Sequence, residues 1–470
     1  MNHDIKFGTD GWRGIIGDDF TLANVRRVAR AAASYVESAG QAERGLVIGY
    51  DTRFLSPDAA QVAAETVAGA GVPVFLADRP TPTPAVSFAV VARQAAGALM
   101  VTASHNPYRW NGIKFKASYG GSAAPSIIAR IEEQLAGQPG EYHAGARAAP
   151  IETADLLQPY LARIRGMINF ERIRSSGLRF VVDPMYGAAH GVIASLFEES
   201  GVPFREIHSD HNPLFPGLNP EPIEPHVAGL REAVMQGGFH AGLATDGDAD
   251  RVGAIDARGG FIDSHKIFCI LLRHLVEDQN KRGEVVRTFS TTRMIDKIAA
   301  RHRLPLHITP IGFKYVCELM LTRDVLMGGE ESGGIAIRGH LPERDGMLNS
   351  LLLAEVMAEK GRTLGELVTE LNVEFGPHFY GRVDLEVERD VIERVLHLVK
   401  NRRIQSVAGR PVSGVEDLDG FKLLFGDSAW LLVRASGTEN LLRLYAEAPS
   451  TEEVQAMLGE MAAIARRGAA

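Results

Sequence analysis

A repeated segment is the feature that most restricts the fold of this chain. "GLVIGYD" (45–51) is followed by an alanine-rich stretch and "GVPVFLAD" (71–78), and "GLRFVVD" (177–183) is followed by "YGAAHGVIASLFEESG" and "GVPFREIHSD" (201–210). Each copy predicts a buried strand that ends at an aspartate, then a helix, a Gly-Val-Pro turn and a second strand. Because a helical connection of this kind makes the two strands parallel, we predict an α/β protein with functional loops at the carboxyl ends of strands.

The rest of the chain predicts a weaker third unit and then a different pattern. Helical and strand-like segments alternate from residue 264 and end in "VLMGG" (325–329). After Pro377, strands and helices alternate as in a small α+β domain. We therefore predict the domains 1–150, 151–257, 258–375 and 376–470. The polar, glycine- and alanine-rich stretch 137–150 is predicted to be the first linker.

Composition narrows the class of protein. The 470 residues are 45% hydrophobic and 23% charged, as in ordinary soluble globular proteins. A net charge of −8 argues against a nucleic-acid partner. No apolar run reaches the roughly 18–20 residues of a membrane span, and the first residues lack a secretory signal, so a cytoplasmic protein is expected. Cys269 and Cys317 have no CxxC spacing and are expected to be buried, reduced thiols.

An acidic loop is the first candidate for chemistry. "ATDGDADRVG" (244–253) places Asp246, Asp248 and Asp250 at alternate positions after a predicted buried strand. Three close carboxylates repel one another unless a cation compensates them, and a divalent ion with oxygen ligands suits the set. The EF-hand alternative fails, because Arg251 stands where that loop needs glycine and Ala257 where it needs glutamate. A solvated acidic turn is the remaining alternative.

Two glycine-rich segments are candidates for ligand binding. In "GGEESGG" (328–334), Glu330 and Ser332 offer an acceptor and a donor suited to hydroxyl groups. "RASGTEN" (434–440) combines a guanidinium, small donors and exposed amides, which are the components of a phosphate cradle; its residues are Arg434, Ser436, Gly437 and Thr438. An ordinary polar turn is the alternative for each. No Walker A segment and no GxGxxG fingerprint occurs, so nucleotide cofactors have no support.

"VTASHNP" (101–107) places Ser104 beside His105 and raises the possibility of a hydrolase. No GxSxG elbow occurs in the chain. Neighbouring side chains of an extended segment also point to opposite faces, which would place His105 badly for deprotonating Ser104. A triad with a distant histidine remains an alternative. Arg13 in "FGTDGWRG" (7–14) and Lys114 in "NGIKF" are further candidate cations, with a turn and a solvated lysine as the alternatives.

Six segments together resemble the α-D-phosphohexomutase superfamily over essentially the whole chain and in family order. They are "FGTDGWRG", "TASHNP", "NGIKF", "DGDADR", "GEESGG" and "RASGTEN". The resemblance implies three similar mixed α/β domains and a C-terminal α+β domain of the TATA-binding-protein-like type. It also implies a cytoplasmic isomerase that acts as an intramolecular phosphotransferase of the phosphoglucomutase type.

The resemblance also implies roles for individual residues. Ser104 matches the serine that is phosphorylated in the active enzyme, and together with Asp246, Asp248 and Asp250 it would bind the metal. Arg13, His105, Lys114 and Arg251 match catalytic-site positions, with Lys114 as the acid–base group. The implied substrate contacts are Gly312, Lys314, Glu330, Ser332, Arg434, Ser436, Gly437 and Thr438. One departure is Gly334, which stands where many members carry histidine.

The implied reaction interconverts glucose 1-phosphate and glucose 6-phosphate through phospho-Ser104. Mg²⁺ is the implied cofactor, and glucose 1,6-bisphosphate is the implied activator and intermediate. The partners would be small sugar phosphates bound by a monomer or homodimer, with no nucleic acid and no membrane. Dual phosphoglucomutase/phosphomannomutase activity or phosphomannomutase activity is the close alternative, and phosphoglucosamine mutase activity ranks lower. A non-catalytic sugar-phosphate binder and a Mg²⁺-dependent phosphatase are the competing classes.

Overall fold

The computed structural model describes residues 5–8, 10–137, 148–436 and 440–467. The predicted linker therefore lies largely outside the described residues. Strands β1–β11 are Trp12–Ile15, Leu46–Tyr50, Val74–Ala77, Gly97–Val101, Trp110–Ala117, Ile151–Ala154, Phe180–Asp183, Phe204–Glu206, Ala241–Thr245, Val252–Asp256 and Phe261–Ile262. Strands β12–β22 are Glu284–Thr288, Leu306–Thr309, Val325–Gly329, Ile335–Ile337, Phe379–Glu386, Ser406–Val407, Arg410–Pro411, Gly414–Glu416, Phe421–Leu424, Trp430–Ala435 and Leu441–Ala448.

The helices lie between and after these strands along the described chain. Helices α1–α8 are Leu22–Ser38, Ser56–Gly69, Thr83–Ala92, Pro125–Ala136, Leu157–Arg165, Phe170–Ser175, Val192–Ser200 and Ala228–Gly237. Helices α9–α15 are Ser264–Arg273, Met294–Arg301, Phe313–Thr322, Gly346–Lys360, Leu364–Phe375, Arg389–Lys400 and Thr451–Arg466. A 3₁₀ turn covers Ala42–Arg44, and a π-helical turn, His274–Asp278, continues α9.

The chain forms two compact units, of which the first contains residues 1–284 and 312–367. Its six-stranded sheet has the order β1-β5-β4-β2-β3-β6, and its five-stranded sheet has the order β11-β10-β9-β7-β8. In both copies of the repeat the two strands are parallel, β2 with β3 and β7 with β8, as predicted. Antiparallel strands complete each sheet, so both sheets are mixed. Strands β14 and β15 of this unit form an antiparallel pair.

The second unit contains residues 285–311 and 368–470. Its main sheet is antiparallel, with the order β16-β22-β21-β20-β19. Helices α14 and α15 contribute to the core of this sheet. Strands β12 and β13 lie parallel to each other. The predicted fold class, mixed α/β domains followed by a C-terminal domain with a different sheet, is confirmed, while the domain boundaries stay predictions.

The central strands of the first sheet are buried on both faces, which explains their continuous apolar sequence. Leu99 and Val101 of β4 belong to the core that includes residues of α1 and α2, whereas Ala98 and Met100 belong to the core that includes residues of α3. Helix α1 begins at an N-cap, where the Thr21 hydroxyl accepts a hydrogen bond from an amide of the first turn. Because all five residues of β4 are buried, the packing of this strand fixes where the "TASHNP" loop starts.

Two sequence expectations about the core and the membrane can be compared with the structure directly. Cys269 and Cys317 are buried and form no disulfide, as predicted. Among the described residues, no helix has both the length and the apolar character needed to cross a membrane.

Gly112 in β5 tests how tightly the strands beside this loop approach. A Cβ at Gly112 would lie 2.2 Å from the Trp12 carbonyl oxygen and 2.9 Å from that of Thr102. Backbone cannot move aside as a flexible side chain does, so we expect Gly112→Ala to destabilise the protein by about 1–3 kcal/mol. Thermal unfolding followed by circular dichroism would show a lower midpoint. The matched control is Gly459→Ala on the exposed face of α15, where nothing lies within 4 Å and alanine should be neutral or stabilising. Equal midpoints for both variants would contradict the close approach.

Candidate active site

The serine loop, residues 102–109, leaves the carboxyl end of β4 and returns into β5. Ser104 is 1% exposed and has a backbone φ of 53°, a left-handed conformation that is uncommon for a residue with a side chain. Its amide donates a hydrogen bond to the Thr102 hydroxyl at 2.8 Å. Its own hydroxyl donates to Asp246 Oδ2 at 2.7 Å. The serine is therefore held toward the acidic loop, about 140 residues later in the chain.

The expectation that Ser104 and His105 point to opposite faces is wrong. The chain is not extended at Ser104, and His105 Nδ1 lies 3.5 Å from the Ser104 hydroxyl oxygen. That distance is at the outer limit of a hydrogen bond, whereas the contact to Asp246 is short. The nearer partner of the serine is a carboxylate, and the geometry gives no support to activation by its neighbour.

The acidic loop follows β9 and brings its three aspartates together. Asp246, Asp248 and Asp250 are fully buried, and their nearest carboxylate oxygens lie within 4.8 Å of one another. Asp246 Oδ1 accepts the amides of Asp250 and Arg251 at 2.9 and 3.1 Å, which curls the loop around this carboxylate. Glycine is required at position 247, since a Cβ there would lie 2.5 Å from the Ser104 carbonyl oxygen.

These carboxylates fit a divalent cation. Asp248 Oδ1 and Asp250 Oδ1 are buried without a hydrogen-bond partner among the described residues. Burial, and then the charges of Asp250 and Asp248, raise the pKa of Asp246 well above its usual value. A bound cation relieves both the repulsion and the unpaired oxygens, and oxygen ligands are what hard divalent ions prefer. The alternative of a solvated acidic turn is wrong for this loop because water has no access to it.

Lys114 joins the acidic loop from inside β5. Its ammonium nitrogen lies 2.8 Å from Asp248 Oδ2, 2.9 Å from Asp250 Oδ2 and 3.1 Å from Asp10 Oδ2. Burial alone would lower the pKa of Lys114, but the three carboxylates together outweigh burial and raise the pKa above its usual value. Lys114 is therefore a buried cation rather than the solvated lysine of the alternative interpretation.

Three residues that the sequence did not indicate complete this network. The Thr83 hydroxyl donates to Asp248 Oδ2 at 2.5 Å from the start of α3. Asp10 accepts contacts from Lys114 and from the Arg344 guanidinium. Arg344 also lies 2.8 Å from Asp250 and 3.2 Å from Glu330. Asp10 lies within the quoted segment "FGTDGWRG", and Arg344 lies ten residues after "GGEESGG", but only contacts distant in sequence identify them as partners.

Arg344 also explains the departure at Gly334. A Cβ at Gly334 would lie 2.2 Å from Arg344 Cδ and 3.2 Å from Glu330 Oε1. The arginine side chain therefore occupies the space that a larger residue at position 334 would need. In the loop between β14 and β15, the Ser332 hydroxyl donates to Glu330 Oε1 at 2.9 Å. Burial raises the pKa of Glu330, although the Arg344 charge opposes this shift.

The other predicted cations of this unit lie around the serine loop. Arg13 Nη1 donates to the side-chain oxygen of Asn106 at 2.5 Å. Burial, and then the charge of Arg251, lower the pKa of the Arg13 guanidinium, so these two cations are near enough to repel. Arg251 Nη1 lies 3.1 Å from Glu221, and its Nε lies 3.8 Å from Asp246. Arg13 thus contacts the serine loop, while Arg251 and Lys114 contact the acidic loop, and three cations placed in this way suit a bound anion.

The remaining predicted substrate contacts lie in other segments of the chain. Gly312 caps α11 with a φ of 131°, and the next residue, Phe313, lies under the Arg344 guanidinium at 5.3 Å. Lys314 Nζ lies 5.3 Å from the centre of the Tyr315 ring. In the second unit, Arg434 Nε donates to Asp419 Oδ1 at 2.8 Å, and Ser436 is 5% exposed. Gly437 and Thr438 lie outside the described residues, and all these roles stay predictions.

A second cluster of metal-ligand types lies elsewhere in the first unit. His274, Glu355 and Glu359 have ligand atoms within 4.8 Å of one another. Both ring nitrogens of His274 already have partners, because Nδ1 lies 2.9 Å from Asp278 and Nε2 lies 2.9 Å from the Gln279 side chain, whereas Asp248 and Asp250 each keep one oxygen without a hydrogen-bond partner among the described residues. Among the described residues, the aspartate set is therefore the better candidate for a metal centre.

Comparison with known proteins identifies four matching domain models. Residues 4–139, 158–259 and 263–375 match the alpha/beta/alpha domains I, II and III of phosphoglucomutase/phosphomannomutase, and residues 387–464 match its C-terminal domain.

Three similar proteins illustrate the match. A phosphoglucomutase/phosphomannomutase from Thermococcus kodakarensis is 30% identical, with 96% of each chain covered. A phosphoglucosamine mutase from Carboxydothermus hydrogenoformans is 32% identical, with 97% of this chain and 98% of the relative covered. The crystal structure of a proposed phosphomannomutase from Thermus thermophilus superimposes with a TM-score of 0.88 at 36% identity, covering 99% of this chain and all of that one.

The metal centre can be tested with Mn²⁺ as the probe in isothermal titration calorimetry. We expect Asp248→Asn to weaken Mn²⁺ binding by about 10-fold or more, because a neutral amide compensates less of the cation's charge. The control is Glu359→Gln in the second cluster, which should leave the affinity unchanged. Loss of binding in Glu359→Gln with normal binding in Asp248→Asn would place the metal in the second cluster and contradict this assignment.

Proposed function

This chain belongs to the phosphoglucomutase/phosphomannomutase family of intramolecular phosphotransferases, and on that premise we propose that it interconverts glucose 1-phosphate and glucose 6-phosphate through phosphorylated Ser104. The observation that carries the proposal is the 2.7 Å contact between the Ser104 hydroxyl and Asp246, made inside a buried cluster of three aspartates. A serine in this position can carry a phosphoryl group only if the negative charges around it are balanced.

Asp246, Asp248 and Asp250 would hold Mg²⁺ together with an oxygen of the phosphorylated serine. When bound, this ion neutralises negative charge and acts as a Lewis acid toward the phosphoryl oxygens. Arg13 and Arg251 would supply further positive charge on the side of the serine loop. The phosphoryl group is thereby surrounded by groups that stabilise the charge that develops during transfer.

The reaction consists of two transfers that balance each other. In the first, the bond between the phosphorus and the Ser104 oxygen breaks while a bond to the 6-hydroxyl oxygen of the sugar 1-phosphate forms. The sugar hydroxyl loses its proton and the Ser104 oxygen gains one. The bisphosphate then reorients so that its 1-phosphate faces Ser104. Transfer of this phosphoryl group to Ser104 leaves the sugar 6-phosphate and restores the phosphoenzyme. The predicted contacts Arg434, Ser436, Gly437 and Thr438 would bind whichever phosphate is not being transferred.

Proton movement at the hydroxyls is assigned to Lys114. Its carboxylate partners keep it protonated in the absence of a metal ion. The proposal therefore requires that a bound cation take up part of the charge of Asp248 and Asp250, so that Lys114 can exchange a proton. His340 is a weaker candidate, since it is buried against Phe88 and Tyr160 with Nε2 at 2.9 Å from Asp345.

Substrate choice is the finer part of the proposal. Glu330 and Ser332 are proposed to contact sugar hydroxyls, with Gly312 and Lys314 contributing from the start of α11. Relatives of similar identity carry the names phosphoglucomutase/phosphomannomutase and phosphoglucosamine mutase. Dual glucose and mannose specificity is thus the second candidate, and glucosamine phosphate is a third.

Ser104→Ala tests the phosphoryl carrier. We expect mutase turnover to fall by about 10³-fold or more, because the atom that bears the phosphoryl group is missing. Intact-protein mass spectrometry after incubation with glucose 1,6-bisphosphate should show one phosphoryl group on the wild type and none on the variant. The control is Ser87→Ala in α3, another fully buried serine, whose hydroxyl has no partner among the described residues. Full activity in Ser104→Ala would reject the carrier.

A panel of sugar 1-phosphates tests the substrate. Glucose, mannose, N-acetylglucosamine and glucosamine 1-phosphates would each be assayed with Mg²⁺ and the matching bisphosphate. The quantity compared is kcat/KM, which measures discrimination between competing substrates. We expect its highest value for glucose 1-phosphate. A higher value for glucosamine 1-phosphate would overturn the glucose assignment. Steady release of inorganic phosphate without a 6-phosphate product would indicate a phosphatase instead.

A further inference from the structure

Arg53 is a fully buried cation that the proposed reaction does not use. It lies shortly after β2, in the first copy of the repeat, and its side chain is 0% exposed. Its Nε lies 3.2 Å from Asp51 Oδ2, the aspartate that follows the strand. Asp51 is itself fixed by the Ser56 hydroxyl, which donates to Oδ1 at 2.7 Å. The ion pair with Asp51 thus holds the Nε side of the guanidinium in place.

The outer nitrogens of Arg53 bind the serine loop and the first residue of β5. Nη2 donates to the carbonyl oxygens of Ser104 and Asn106 at 2.5 and 2.7 Å. Nη1 donates to the carbonyl oxygens of Pro107 and Trp110, both at 3.1 Å. Three of these carbonyls belong to the serine loop and the fourth to Trp110 at the start of β5. A guanidinium, with its rigid fork of donors, satisfies all four at once.

The Ser104 carbonyl has a second close neighbour on the metal side. A Cβ at Gly247 would lie only 2.5 Å from it, so the serine loop and the acidic loop are packed backbone against backbone at this atom. The Phe215 ring covers the Arg53 guanidinium, with its ring centre 4.9 Å from the guanidinium carbon. Arg53 therefore holds the loop at the residue whose left-handed backbone turns the hydroxyl toward Asp246.

We propose that Arg53 is a positioning residue that fixes the serine loop in the conformation required for phosphoryl transfer. This inference rests on the proposed function, in which Ser104 carries the phosphoryl group. Arg53 donates to backbone carbonyls of the loop, and its hydrogen bonds reach neither the reacting hydroxyl nor the three aspartates. It acts through the backbone of Ser104, so its loss misplaces the phosphoryl oxygen without removing a group that binds the sugar.

Arg53→Lys is the decisive variant, because lysine keeps the charge but presents one compact donor group that cannot reach four separated carbonyls. We expect kcat to fall by about 10²-fold while KM for the sugar phosphate stays within about 3-fold, since a small displacement of a reacting group mainly slows the chemical step. The matched control is Arg287→Lys, a buried arginine of the second unit that is paired with Asp296, and this variant should keep the wild-type kcat.

Hydrogen exchange of the full-length protein gives a readout that does not depend on turnover. Amides of residues 104–111 should exchange faster in Arg53→Lys than in the wild type, whereas peptides from β9 should be unchanged. Wild-type exchange together with wild-type kcat would overturn the proposal. A rise in KM that matches the fall in kcat/KM, with unchanged kcat, would also overturn it, because that pattern indicates substrate binding.

If Arg53→Lys does not fold, Phe215→Leu takes its place, because it removes the aromatic face from the guanidinium and leaves the four carbonyl contacts without that support. A fall in kcat at constant KM, with faster exchange in 104–111, supports the proposal, and unchanged values overturn it. Failure of the proposed function looks different. A wild type without mutase activity on any hexose phosphate would reject that function, while the exchange comparison would still decide whether Arg53 fixes the loop.

Discussion

The structure around the candidate active site depends on the compensation of buried carboxylates by buried cations. Four aspartates, Asp10, Asp246, Asp248 and Asp250, meet in a region with little access to water, where each unpaired charge is costly. Lys114 and Arg344 bridge Asp10, Asp248 and Asp250, so each cation contacts carboxylates from separate parts of the chain. The same contacts tie together the segment before β1, the strand β5 and the loops that follow β9 and β15. The contacts that balance the buried charges are therefore also the contacts that place the loops.

Glycine allows these charged groups to come close. At Gly247 the acidic loop packs directly on the Ser104 carbonyl, and at Gly334 the Arg344 side chain occupies the space beside the backbone. A side chain at either position would separate loops whose contacts are shorter than 3 Å. The glycine at position 334 and the side chain of Arg344 therefore depend on each other, although they lie ten positions apart in the sequence.

Much of the fold and part of the site could be predicted from the sequence. The repeat indicated two parallel strand pairs, and the motifs indicated Ser104, Lys114 and the aspartates as chemical groups. Asp10, Thr83, Arg344 and Arg53 could not be found in this way, because their importance lies in contacts with residues far away in the chain. The opposite-face argument for His105 failed because it assumed an extended backbone, whereas Ser104 has a φ of 53°.

The sequence by itself determined the order of strands and helices, the buried character of the central strands and the chemical types available at their carboxyl ends. These properties follow from local periodicity and from residue identity, which a linear pattern records. Only the tertiary structure decided which charges neutralise one another, which carboxylate the Ser104 hydroxyl contacts and which arginine contacts the serine loop. Electrostatic and hydrogen-bonding energies depend on distances and on the exclusion of water, and both arise only when segments far apart in the chain pack together.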